Sequence, residues 1–257
     1  MAALPADLPI ESFAAEDGVR LAWRETGPAD GRPVVLLHGL FSDGYTNWIR
    51  YGHAALLAGR GLRVILPDLR GHGASGRPHD PAAYPPDILA QDGAALIAHL
   101  GLEDYDLGGY SLGGRTAMRM LVTGARPRRA AIAGMGLQGL LDTGHRAAHF
   151  RSILEGIGTH RQGSPEWMAE AFLKTTGGDP QALLPLLGSF VDTPEAALRA
   201  VTTPILVVIG DGDEDNGSAA ELAARLPDAR LETIPGNHMS AVTKPDLGRV
   251  LAEYFAG

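Results

Sequence analysis

Cysteine is absent from this 257-residue chain. That excludes a disulfide framework and a thiolate metal site. Basic side chains are the minority, 22 against 30 acidic ones, for a formal net charge of -8. A nucleic-acid footprint is basic and clustered, so no nucleic-acid partner is expected. The same sign of charge disfavours an anionic membrane surface. No stretch reaches the roughly 18 apolar residues of a membrane span. The opening MAALPADLPIES lacks a basic start and a long apolar run, so no secretory leader is expected and a cytoplasmic location is. Internal repeats and low-complexity tracts are missing too. What the chain does have is 34 glycines and 18 prolines, set between periodic segments as turn formers. With 45% hydrophobic residues, the length fits one large α/β domain, or one domain with an insertion.

Taken in order, short alternating runs at 10–16 and 19–25 flank Asp17-Gly18, a hairpin signal. Val34 to Leu37 is a continuous apolar run, as expected of a strand covered on both faces. Residues 48–59 read as one helix, Leu62 to Leu66 as a second buried strand and 86–100 as an amphipathic helix. A strand into Tyr110, a helix ending near Gly124 and a short strand from Arg129 to Ala133 follow. This alternation predicts a mainly parallel sheet with helices on both faces. Between 137 and 200 the rhythm changes to helices alone, at 142–156, 165–175, 179–187 and 194–200. Such an insertion is expected to lie as a cap over the sheet's carboxyl edge, where ligands bind. The division is therefore 1–136 core, 137–200 cap and 201–257 core. The last part holds a strand at 204–209, a helix at 217–226, a strand at 230–234 and a helix at 245–255.

The stretch that organises the chain is YDLGGYSLGGRTAMR, residues 105–119. It is G-x-S-x-G between a strand and a helix. Lifting a serine Oγ off a strand end requires the chain to reverse within a residue or two. The backbone at Ser111 is then strained, and the glycines on either side, Gly109 and Gly113, approach neighbouring backbone too closely for a Cβ. The helix start beneath Ser111 aims free N–H groups at any anion formed there.

Together these motifs resemble the α/β-hydrolase fold, an eight-stranded, mostly parallel sheet flanked by helices, here with a helical cap. The resemblance rests on His38-Gly39 after one strand, Asp68-x-x-Gly71-x-Gly73-x-Ser75 after the next, the elbow at Ser111, and an acid and a histidine after the last strands. In that family the order is serine, acid, histidine. It implies Ser111 as nucleophile, Asp213 as acid and His238, read here as a loop residue, as base. Asp211 stays open as the alternative acid, while Glu214 and Asp215 read as a solvated turn. The resemblance also implies oxyanion donors at the backbone N–H of Leu112 and Leu40, or of Phe41 in place of Leu40. Phe41, Tyr110 and Met239 are expected to contact substrate. His38, Asp68, Arg70 and His72 read as structural; Phe150, Trp167, Met168 and Phe172 read as either the lining of an acyl pocket or the cap's own core, and helical spacing favours the core.

A serine at the elbow sets the chain apart from haloalkane dehalogenases and epoxide hydrolases of this fold, which carry aspartate there. It points to acyl chemistry on a small-molecule ester, with no cofactor. His145 and His149 would share one helix face, but no glutamate stands between them and no third ligand suggests itself, so no metal is expected. A second reading is a lyase or carbon–carbon hydrolase. Gly-Tyr-Ser-Leu-Gly-Gly-Arg resembles the elbow of the menaquinone-pathway synthase, where the arginine, here Arg115, contacts a substrate carboxylate. Against this stands a helix-surface Arg115 bonded to the cap or to solvent. Convergence of Arg115 with Arg146 or Arg151 would favour the lyase. A third reading, a non-catalytic binding module, would be expected to lack a member of the serine, acid and histidine set. Oligomeric state is not legible.

Overall fold

The computed structural model describes residues 8–257. The first seven residues, part of the segment read as leader-free, lie outside the described residues. The elements run β1 (Glu11–Ala14), β2 (Arg20–Thr26), β3 (Arg32–Leu37), α1 (His53–Ala58), β4 (Leu62–Asp68), α2 (Ile88–His99), β5 (Asp106–Tyr110), α3 (Leu112–Val122) and β6 (Ala130–Ala133). An all-helical insertion follows, with α4 (Gln138–Leu141), α5 (Thr143–Glu155), α6 (Pro165–Thr175), α7 (Pro180–Leu187) and α8 (Glu195–Arg199). The chain then returns to the sheet with β7 (Ile205–Gly210), α9 (Ala219–Arg225), β8 (Ala229–Ile234), α10 (His238–Ala241) and α11 (Pro245–Ala256).

Among the described residues the eight strands form one sheet in the order β1-β2-β4-β3-β5-β6-β7-β8. Only the β1–β2 and β2–β4 pairings are antiparallel. The central strands are apolar throughout because both their faces are covered. Val35, Leu37, Ile65, Leu107, Ile132 and Val207 face α2, α3 and α9. Val34, Leu36, Val64, Leu66, Leu206 and Val208 face α1 and α11. This is the strict two-residue alternation of a strand.

The chain moves outward from β3 to β4, then crosses back over β3 to place β5 on its other side. The loops leaving the carboxyl ends of β3 and β5 therefore diverge. A crevice opens between them, the usual ligand position in such sheets.

Three helices of the insertion begin on an oxygen-bearing cap that accepts from the first free N–H groups. Asp142 accepts from His145, Ser164 from Trp167 and Asp179 from Gln181, the last two with proline at the first helical position. The insertion sits on core loops. Arg77 Nη1 donates to the Gly177 carbonyl, His79 pairs with Asp179 at 2.8 Å and the Asp87 N–H reaches the Ser189 carbonyl.

The helix expected at 48–59 is broken. A π-helical turn at Tyr45–Ile49 stops before Gly52, whose φ of +82° ends it, and α1 starts at His53. Apolar spacing carries across such a break, so periodicity alone misses it. The short helices α4 and α10 span four residues each, too few for a periodic signal.

Candidate active site

Ser111 is the one residue between β5 and α3, with φ +54° and ψ −113°. This sparsely populated region costs on the order of 1–3 kcal/mol for a residue with a side chain. The two flanking glycines make it possible. A Cβ on Gly109 would lie 2.2 Å from the Gly113 carbonyl, and one on Gly113 would lie 2.0 Å from the Leu37 carbonyl at the end of β3.

His238 arrives from β8. Asn237 and Ser240 form a reciprocal capping box around it, and His238 is the first residue of α10 rather than a loop residue. Its Nε2 lies 2.9 Å from Ser111 Oγ and its Nδ1 2.9 Å from Asp213 Oδ2. Asp213 accepts only, so the Nδ1–H donates to it and Nε2 is left to accept the serine proton. Asp211 is turned elsewhere, its Oδ1 accepting the Gly236 N–H at 2.8 Å and pinning together the loops after β7 and β8. Asp215, read as solvated, is half-exposed and faces Arg146 at 3.6 Å.

Tyr110, expected on substrate, is buried instead, and its hydroxyl donates to the His238 carbonyl at 2.6 Å. Burial first, then the Asp213 and Asp215 carboxylates, raises its phenol pKa, so it stays a donor. Met239 is exposed.

The loop after β3 faces Ser111. The Gly39 N–H donates to Asn47 Oδ1 at 3.0 Å, and the Ser42 N–H to the Gly39 carbonyl at 3.2 Å. Phe41 holds a left-handed φ of +63°, and its buried ring meets Phe150 edge-on at 5.4 Å. The N–H groups of Leu40, Phe41 and Leu112 find no acceptor among the described residues. Trp167 and Met168, expected in a cap core, are exposed; that core is Ile153, Leu154, Leu173, Leu183 and Leu186.

Beneath the loop, the His38 Nδ1–H donates to the Gly39 carbonyl and its Nε2 accepts from the Leu69 N–H. The His72 ring packs edge-on against it at 5.0 Å. Asp68 accepts from the Gly44 and Ala74 N–H groups, and Arg70 pairs with Asp92 and Asp17. Burial, then the neighbouring His38, pushes the His72 pKa from 6.5 down to about 3, and burial lowers that of His38 too. Both imidazoles stay neutral in the fold while the unfolded chain protonates. Their contribution is complete above pH 6.5 and is lost as pH falls toward about 3. Urea unfolding at stepped pH should show stability falling below pH 6.5 by up to about 1.4 kcal/mol per pH unit per histidine. His72→Gln should flatten that slope, and an unchanged slope would contradict the assignment.

Arg115 is buried, not on the helix surface. Its Nε donates to the Gly139 carbonyl of α4 at 3.2 Å, and its guanidinium lies over the Phe190 ring at 4.7 Å. No carboxylate pairs with it among the described residues. Burial first, then the like charge of Arg146, lowers its pKa to about 10. Leu112, Thr116, Arg119 and Phe190 line a small cleft with it, of about 20 Å³. Arg151 points away and faces Glu155 at the surface. No group of three or more metal-ligating side chains occurs among the described residues, His145 and His149 included. No helix of the described residues is long and apolar enough to cross a membrane.

Against known proteins, the chain is 31% identical to the dihydrolipoyllysine-residue acetyltransferase component of the acetoin cleaving system of Pseudomonas putida, over 90% of this chain but only 65% of that longer protein. It is 30% identical to a non-heme haloperoxidase of Rhodococcus erythropolis, over 86% of this chain and 90% of that one. A Bacillus subtilis protein named as a 2-succinyl-6-hydroxy-2,4-cyclohexadiene-1-carboxylate synthase is 24% identical, over 95% and 97% of the two chains. The structure of a thermophilic esterase from Thermogutta terrifontis superposes with a TM-score of 0.78 over 96% of this chain and 98% of that one; at 23% identity the likeness is one of fold. The sequence pattern of the alpha/beta hydrolase family matches residues 34–247. That match covers most of the chain, and the sheet order agrees with it: the chain belongs to the alpha/beta hydrolase family.

Proposed function

We propose that this protein is a serine hydrolase that cleaves small to medium carboxylic esters through an acyl-enzyme on Ser111. One observation carries the reading: Ser111 Oγ, His238 and Asp213 stand in hydrogen-bonded series, each link 2.9 Å, beside backbone N–H groups that find no acceptor among the described residues. A serine hydroxyl is a weak nucleophile until a base takes its proton. As Oγ attacks the ester carbonyl, His238 Nε2 takes that proton, and Asp213 stabilises the imidazolium. The N–H groups of Leu40 and Leu112 receive the negative oxygen, where each donor is worth about 3–4 kcal/mol. Collapse expels the alkoxide, which leaves with the proton from His238. Water, deprotonated by the same imidazole, then releases the acid. The apolar Phe41 and Phe150 rings suit an uncharged acyl group. Phosphonylation of Ser111 by a fluorophosphonate, read by peptide mass, together with turnover of p-nitrophenyl esters of graded acyl length, tests the reading. A wild-type protein inert to both would end it.

A second reading, a lyase or carbon–carbon hydrolase of the same fold acting on a carboxylated substrate, has its own support. Arg115 is a buried cation that no carboxylate pairs with among the described residues, with the charges of Arg146 and, more weakly, Asp192 acting on it. Burying an unpaired charge is costly, and an incoming carboxylate would relieve it by bidentate pairing. If so, Arg115→Met should raise KM for a monoester of a dicarboxylic acid by about tenfold or more while sparing the uncharged ester. Equal losses on both substrates would make Arg115 structural only.

A further inference from the structure

We propose that Thr176, in the helical insertion, is a positioning residue for the loop after β3, so that the insertion completes the oxyanion hole. The proposal rests on the reading of Leu40 and Leu112 as oxyanion donors. Thr176 caps the carboxyl end of α6, and its Oγ1 lies 2.7 Å from the Phe41 carbonyl. The alternative acceptors, the Leu173 and Phe172 carbonyls of its own helix, are farther, at 3.0 and 3.3 Å. No other donor reaches the Phe41 carbonyl among the described residues.

The peptide between Phe41 and Ser42 is thus held at both ends. Its carbonyl accepts from Thr176, and its N–H donates to the Gly39 carbonyl. Fixing that plane keeps Phe41 at its left-handed φ of +63°, a conformation a phenylalanine does not hold unaided. The preceding peptide, which carries the Phe41 N–H, and the Leu40 N–H before it are oriented in turn. A small rotation there would turn the donors away from the oxygen that forms over Ser111. Thr176 itself is anchored, because the next residues are clamped to the core by the Arg77–Gly177 and His79–Asp179 contacts. Phe150 of α5 packs edge-on against the Phe41 ring. Two elements of the insertion therefore grip one strained residue of the core.

The test compares Thr176→Val, which keeps the shape and removes the hydroxyl, with Thr176→Ser, which keeps the donor. The measurements are ester kcat and KM, and amide hydrogen exchange at residues 39–43. Thr176→Val should lower kcat about tenfold with KM within about twofold, since the lost contact acts on the transition state. Exchange across 39–43 should speed up by a similar factor, and Thr176→Ser should restore both. Wild-type exchange in Thr176→Val, or a serine variant as impaired as the valine one, overturns the proposal. Exchange needs no substrate, so it decides the role of Thr176 even if the ester reading fails. Faster exchange with unchanged kcat would instead overturn the claim that this loop serves the oxyanion.

Discussion

Replacing Ser111 with alanine should lower ester kcat by about 10⁶-fold and abolish fluorophosphonate labelling. Among the described residues no other hydroxyl bonds to His238 Nε2, so none of them is placed to take over the attack. The residual rate would come from the oxyanion donors and substrate binding alone. The same position tests the strain argument without any substrate. Alanine keeps the Cβ that the φ of +54° disfavours, whereas glycine does not. Ser111→Gly should therefore be as inactive as Ser111→Ala but more stable by about 1–2 kcal/mol in thermal or urea unfolding. Equal stability of the two variants would mean that the elbow is relaxed.

Asp213→Asn should cost about 10⁴-fold in kcat, while Asp211→Asn should stay within about threefold of wild type. The asymmetry follows from what each carboxylate faces. Asp213 accepts the Nδ1–H of His238. An asparagine there can present its NH₂ instead, which stabilises the tautomer with the proton on Nε2. That imidazole cannot accept the serine proton. Asp211 accepts a backbone N–H from Gly236, and an asparagine oxygen can do the same. Steady-state kinetics of the two variants, with near-ultraviolet circular dichroism as a check on folding, separate them. A severe loss in Asp211→Asn with a mild one in Asp213→Asn would reverse the assignment of the acid.

The parts of the fold legible in the sequence were those whose signals are local. The buried run at 34–37, the Asp17-Gly18 turn and the glycines beside Ser111 each state their geometry within a few residues. The glycine case is the clearest, since a Cβ at 109 or 113 would strike backbone. Apolar periodicity was less faithful. It ran through Gly52, where a left-handed residue splits the expected helix, and it assigned Trp167 and Met168 to a core they do not reach. Helical spacing shows which residues share a face, not whether another element covers it. Arg115 shows the converse. Nothing in its neighbours along the chain says that α4 and Phe190 bury it.

The sequence by itself determined the chemical types present and their order: a serine on a glycine-flanked elbow, an acidic loop, a late histidine, and strands apolar enough to require cover on both faces. Tertiary structure alone decided which groups meet. It turned Asp213 rather than Asp211 toward His238, set the Tyr110 hydroxyl on the histidine's backbone and brought Thr176 to Phe41 across 135 positions. The physical reason is range. Backbone sterics and burial patterns act over a few residues and are written where they act. A hydrogen bond between loops depends instead on strand order and on the angle at which each loop leaves the sheet, which the whole packed core fixes together.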